Sequence, residues 1–232
     1  MLAKFYLAAI LLLPTFLAAD TALQAFAGRR ILRVDLEGHR TTREHTIRRE
    51  FRTKVGQTFD TERWRADLQR LDNLDIFSSI NSSVVEAETG IILVVRMREM
   101  PPVVPYITSD VTDEDGWSFG PAVKAVNLLG RDIFVSGYAL FGGKTTFLLD
   151  LNYPWMAGNH LSFDLDFGRI ERENTLDGFR ETSFEFSPWL ATFLGERGRA
   201  GLGFSYFRVD SDRPGHTLQS NGRDQLLQAG LR

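Results

Sequence analysis

Histidine, paired carboxylates and glycine-flanked acids are the residues in this chain that could do chemistry. The four histidines, His39, His45, His160 and His216, are scattered, and no two stand at the spacing of a zinc-binding helix. Asp164 and Asp166 would share one face of a strand and could imitate an acid–base pair, but two acids at that spacing more often line a wetted surface. Asp113-Glu-Asp-Gly116 lacks the ligand spacing and closing glutamate of a calcium loop, so it is expected to be a solvated turn. There is no cysteine, which removes disulfides and thiolate chemistry. No nucleophile elbow or phosphate loop is present. An enzyme is therefore not expected, and no cofactor or metal is implied. A net charge of −3 does not suggest a nucleic-acid partner.

What remains is the chemistry of the backbone, and it depends on strands. Ile31 to Gly38 alternates Leu32, Val34 and Leu36 with Arg33, Asp35 and Glu37, a strand with one buried face. A helix is expected from Thr41, with Glu44 completing a capping box and Ile47 and Phe51 facing the sheet. A second helix is expected from Asp60, with Phe59 and Trp64 placed for a hydrophobic staple and Trp64, Leu68 and Leu71 forming its stripe. Ile76–Val85 is a weak strand, and Ile91–Val95 is apolar on both faces, as a central strand would be. That makes Ile76–Val85 an edge, without the lysine or proline that usually blunts one. Such an edge can accept a strand from a partner, and Phe77, Ser79, Asn81 and Ser83 are the candidate docking residues. Arg43, Arg48, Arg49, Arg52 and Lys54 are read first as a solvated helix face and second as a contact for lipid head groups or an acidic partner.

The N-terminus has the pattern of an export signal over residues 1–27: Lys4, an apolar run from Phe5 to Leu13, then small residues at Ala18-Ala19 and Ala25–Ala27. Residues 100–116 begin with Met100-Pro-Pro-Val-Val-Pro105 and are expected to be an extended linker. From Trp117 onward six or seven amphipathic strands are expected, with a polar loop over Arg169–Arg180. Leu161-Ser-Phe-Asp-Leu-Asp-Phe167 alternates most cleanly, and Phe184 and Phe186 oppose Ser183, Glu185 and Ser187. Strands with one apolar and one polar face suit a barrel in lipid, with Tyr153, Trp155, Trp189 and Tyr206 as interfacial aromatics. A soluble antiparallel domain would alternate in the same way.

Val34-Asp-Leu-Glu-Gly38, Val55-Gly-Gln-Thr-Phe59, Leu71-Asp-Asn-Leu-Asp-Ile-Phe77 and the Gly90–Glu99 strand together resemble a polypeptide-transport-associated (POTRA) domain over residues 28–99. Gly120–Asp132 and Asp150-Leu-Asn-Tyr-Pro154 are similar to the start of the barrel in the bacterial surface antigen family. The resemblance implies an α+β POTRA domain of β-α-α-β-β order in the periplasm, then an all-β antiparallel transmembrane barrel over residues 117–232. It implies outer-membrane protein assembly, insertion or translocation. The implied partners are unfolded outer-membrane or secreted client polypeptides, outer-membrane lipid and accessory lipoproteins. It also implies a poorly paired gate strand at Trp117, Phe119, Pro121 and Val123, where the proline suits an edge. Family barrels have about sixteen strands, so the chain is expected to be the N-terminal part of a longer protein. The alternative reading is a soluble periplasmic adaptor with a small β-domain.

Overall fold

The computed structural model describes residues 23–157, 161–174, 178–194, 198–213, 215 and 222–231. The chain divides between Met100 and Pro101 into two units. Most of the expected export signal lies outside the described residues. Of its last residues, Leu23 and Phe26 pack against the core of the first unit.

The first unit runs β1 (Ile31–Glu37), α1 (Glu44–Arg48), α2 (Thr61–Asp72), β2 (Phe77–Ala87) and β3 (Gly90–Glu99). Its three strands lie in the order β1-β3-β2. β3 is central, parallel to β1 and antiparallel to β2. Ile91, Leu93, Val94 and Val95 are all buried, which is why this strand is apolar on both faces. Trp64 anchors the core from α2. It is fully buried, its ring lies 5.4 Å from that of Phe51, and its indole N–H donates to Ser82 Oγ at 2.9 Å. The one polar atom of the side chain is thereby satisfied. Asp60 caps α2 by accepting from the Arg63 amide at 3.1 Å.

The first helix departs from expectation. α1 begins at Glu44, and its N-cap, Arg43, makes no side-chain cap bond. Glu44 pairs instead with Arg48 at 2.6 Å. The amides of Thr41 and Thr42 donate to the Glu99 carboxylate at 3.0 and 2.7 Å. In the box the Thr41 amide would have gone to the Glu44 carboxylate; the Glu99 carboxylate accepts it together with the Thr42 amide in charge-assisted bonds.

The second unit is one antiparallel sheet of eight strands in chain order. These are β4 (Val103–Thr112), β5 (Gly116–Leu128), β6 (Ile133–Gly142), β7 (Lys144–Tyr153), β8 (Leu161–Asn174), β9 (Phe179–Leu194), β10 (Gly198–Ser211) and β11 (Arg223–Leu231). Two expectations are corrected. Most of residues 100–116 is strand rather than linker, because Val103–Thr112 pairs with β5 from Ala125 to Gly116. Pro105 is tolerated because β4 is a terminal strand, where a missing amide need not break a ladder. The polar stretch Arg169–Arg180 is largely strand too, since β8 and β9 pair as far as Asn174 and Phe179. Its charges answer one another across the strands, as in Arg172–Glu181 at 3.3 Å and Arg180–Glu171 at 3.8 Å.

The register sorts the side chains. Pro105, Val123, Gly137, Leu149, Phe167, Phe186, Tyr206 and Leu227 form one cross-strand row over all eight strands. The adjacent row on the opposite face reads Val104, Lys124, Ser136, Asp150, Asp166 and Ser187. One face is thus apolar and the other polar, as the pleat requires of alternating sequences.

Candidate docking edges and the polar face

The two edges of the three-stranded sheet differ. The outer side of β1 is taken by Gly56–Phe59 at its first residue: Ile31 N–H donates to Gln57 O at 2.9 Å, and Gly56 N–H to Ile31 O at 2.8 Å. Arg48 reaches Val34 O at 3.5 Å farther along. That covering segment is held in turn through Asp67, a fully buried carboxylate on α2. It accepts from the amides of Arg52 and Thr53 at 2.9 Å each and pairs with Arg70. The outer side of β2, by contrast, is paired with no segment among the described residues. A free row of amides and carbonyls there is a template for another strand.

Ser79 and Asn81 are exposed on this edge strand and Ser83 is half-buried. Phe77 does not share their row. It is 7% exposed and belongs to the core, because a register shift between Phe77 and Ser79 turns it inward. A docking role for its side chain is therefore withdrawn. Of the basic residues around α1, Arg48 is paired with Glu44, and Arg49 with Glu50 at 2.9 Å. The first pair is exposed and the second largely buried, so neither arginine belongs to a free basic patch.

The expected gate residues Trp117, Phe119, Pro121 and Val123 lie on β5, the second strand of the sheet, and β4 takes the terminal place. Their side chains share the apolar face, with Trp117 and Phe119 68% and 64% exposed. The β5–β6 ladder has no partners for Gly120 and Pro121, passing from Phe119↔Phe141 to Ala122↔Tyr138. The proline thus weakens the attachment of the β4–β5 hairpin to the rest of the sheet instead of blunting an edge.

The polar face carries linked side chains. Ser136 donates to Asp150 at 3.0 Å, and Asn152, Asp164, Arg199 and Ser162 form a chain across three strands. Asp164, Asp166, Trp189 and Arg199 line a cavity of about 260 Å³. Trp189 was expected among the lipid-facing aromatics and lies instead on this polar face, opposite Asp164 and Gly203. A Cβ on Gly203 would meet its ring at 2.6 Å, and one on Gly230 at 2.8 Å, so the indole is laid over two strands that only glycine leaves bare. Tyr206 does lie on the apolar face, next to Phe184 at 6.1 Å between ring centres. Glycines opposite a tryptophan at strand spacing were the sequence signal for Trp189; Asp67 and Glu99 left none, since their partners are backbone amides. His160 and His216 lie outside the described residues. His39 follows β1 and His45 lies in α1.

Residues 30–100 match the family model described as surface antigen variable number repeat, the POTRA domain. This part of the chain is a POTRA domain. Over 185 residues the chain is 27% identical to the outer membrane protein assembly factor BamA of Nitratidesulfovibrio vulgaris, covering 78% of this chain and 23% of that protein. The chain thus spans about a quarter of the length of that relative. BamA from Haemophilus ducreyi lacking POTRA domains 1–3 superposes with a TM-score of 0.64 at 15% identity, over 88% of this chain and 42% of that one. CdiB from Escherichia coli gives a TM-score of 0.50 at 13% identity, over 89% of this chain and 39% of that one. The shared fold is a POTRA domain followed by barrel-wall strands. The strands therefore belong to the outer membrane and the POTRA domain to the periplasm, which sets aside the soluble adaptor. The apolar face is accordingly the lipid face and the polar face the luminal one.

Proposed function

We propose that this chain acts in the assembly or translocation of proteins at the outer membrane, with its POTRA domain receiving client polypeptides as a strand added to β2. The uncovered edge of β2 carries this reading, because the equivalent edge of β1 is already taken at its start by Gly56–Phe59. Main-chain bonds suit a receptor for unfolded clients, since every sequence presents the same amides and carbonyls. Ser79, Asn81 and Ser83 add little bulk to obstruct an incoming strand. The β4 edge is the second element of the proposal. As the terminal strand of the wall it replaces the Trp117 strand as the gate, and it presents its own free backbone row to a client or to a further strand. Lipid packs on the apolar face and requires no specific site.

Proline tests the β2 edge. The amides of Asn81 and Ser82 point to opposite sides of the strand, so one proline removes an outward donor and the other a ladder bond to β3. Asn81→Pro and Ser82→Pro are compared by circular dichroism and by crosslinking to unfolded outer-membrane proteins. The variant that stays folded should crosslink less than wild type. Undiminished crosslinking by that folded variant would contradict docking at β2.

A further inference from the structure

The β4–β5 hairpin is fastened unequally at its two ends. Lys144, the first residue of β7, follows the Gly142-Gly143 turn. Its ammonium lies 2.6 Å from Asp110 Oδ2 on β4 and 3.9 Å from Asp115 Oδ2 in the β4–β5 turn. Its amide donates to Ser118 Oγ at 3.0 Å, and Ser118 is fully buried. The Gly143 amide donates to Trp117 O at 2.8 Å. A Cβ on Gly143 would stand 1.6 Å from Asp115 O, and one on Gly142 2.4 Å from Trp117 O, so the two turns can meet only over glycine. Arg172 of β8 adds a looser tie to Glu114 at 3.8 Å.

Nothing comparable holds the other end. From Val103 to Tyr106, β4 is joined to β5 by its ladder, and among the described residues no hydrogen bond or ion pair from these side chains reaches beyond β5. The β5–β6 ladder lacks pairs at Pro121 and Gly120, behind Ile107 and Thr108, and shifts register beyond Ala125, the partner of Val103. Asp110 is the point at which β4 is tied past its neighbour, and Lys144 spans the small Ser118 and the bare Gly142 to reach it.

We propose that Lys144 is a latch that fixes the turn end of the β4–β5 hairpin to the β6–β7 turn, so that β4 opens from its Val103 end. The latch is a positioning device, and it rests on the reading of β4 as the gate. The polypeptide enters β4 at Val103 from the POTRA side, so the free end is the periplasmic one. An incoming strand would start pairing there and stop at the latch.

Site-resolved hydrogen exchange of the full chain in lipid nanodiscs tests this. In the wild type, Val103–Tyr106 should exchange faster than Ile107–Thr112. Lys144→Met keeps most of the length of the side chain and removes its charge. It should speed exchange at Ile107–Thr112 by roughly three- to tenfold and leave Val103–Tyr106 unchanged. Asp110→Asn, which alters an exposed edge residue and carries little folding risk, should do the same. The double variant should add little to either single change, as expected of partners in one interaction. Lys144→Arg should exchange like the wild type. Unchanged exchange at Ile107–Thr112 in both Lys144→Met and Asp110→Asn, or equal acceleration at both ends, would overturn the latch. Client crosslinking at the β4 edge, read on the same samples, separates the two ideas. Exchange that follows the latch with no client crosslink at β4 would remove the gate reading and leave the latch standing.

Discussion

The POTRA domain and the eight-stranded sheet use the same apolar residues for opposite purposes. In the first, Trp64, Ile91, Leu93 and Val95 are turned inward and fully buried. In the second, Trp117, Phe119, Leu149 and Phe204 point away from the polar face and stay exposed. Alternation along a strand is common to both, so it does not say which solvent a face meets. In the POTRA domain a second layer, α2 with Trp64, covers the apolar face of the sheet. In the larger sheet bilayer hydrocarbon takes that place. The polar faces differ as well: the luminal one is knitted by Ser136–Asp150 and Asp164–Arg199, while the exposed surface of the POTRA domain carries isolated ion pairs such as Arg33–Asp35.

The contrast can be broken most forcefully in the POTRA core. Trp64→Ala in a fragment of residues 23–100 should cost about 3–5 kcal/mol by chemical denaturation, as for a buried aromatic. A cost below about 0.5 kcal/mol would mean that the core is not organised on α2. Next comes the lipid face. Leu149→Arg places a charge in the apolar row and should destabilise the membrane-inserted sheet by about 2–4 kcal/mol, while Leu148→Arg, one residue along and facing the lumen, should cost far less. Equal costs in a folding titration from lipid vesicles would erase the distinction between the faces.

A smaller effect sharpens the POTRA side. Burial pushes the Glu99 carboxyl up, but the Thr42 hydroxyl and the amides of Thr41, Thr42 and Arg40 together bring it from 4.5 down to about 2. A carboxyl whose folded pKa is depressed adds stability above its unfolded pKa, and loses it as pH falls through the folded one. The domain should therefore weaken between pH 4.5 and about 2. Solvent screening limits the change to about 1–2 kcal/mol. Glu99→Gln should flatten this part of the pH profile; an unaltered profile would mean that Glu99 does not hold the loop. Smallest of all, Glu44→Ala removes an exposed helix pair and should shift stability by less than about 0.5 kcal/mol.

Where a pattern repeats over several residues, the fold was legible in the sequence. The β-α-α-β-β order, the central β3, the Asp60 cap and the faces of Asp164, Asp166, Phe184 and Phe186 all follow from periodicity or capping. Features set by a single tertiary contact were not. Thr41 and Glu44 spell a capping box, but Glu99, distant in sequence, takes the Thr41 amide that the box would give to Glu44. Val103–Thr112 was read as linker because Pro101, Pro102 and Pro105 outweighed its alternation, and nothing local says that β5 will pair with it. Phe77 fits an outer row by count, and the register shift that buries it is invisible to counting. Of the candidate site, the free edge of β2 was legible through its lack of blunting residues. The pairing of Gly56–Phe59 with the start of β1 was not, because those bonds are made by backbone atoms alone.

The account turns on β2 as the open edge and β1 as the one taken at its start by Gly56–Phe59. A photo-crosslinking side chain at Asn81 on β2, and in a separate variant at Thr58 in the segment covering β1, places one probe on each edge. In cells exporting an unfolded outer-membrane client, the Asn81 probe should form a client adduct and the Thr58 probe none. Adducts of equal yield at both positions, or at Thr58 alone, would contradict client docking on β2.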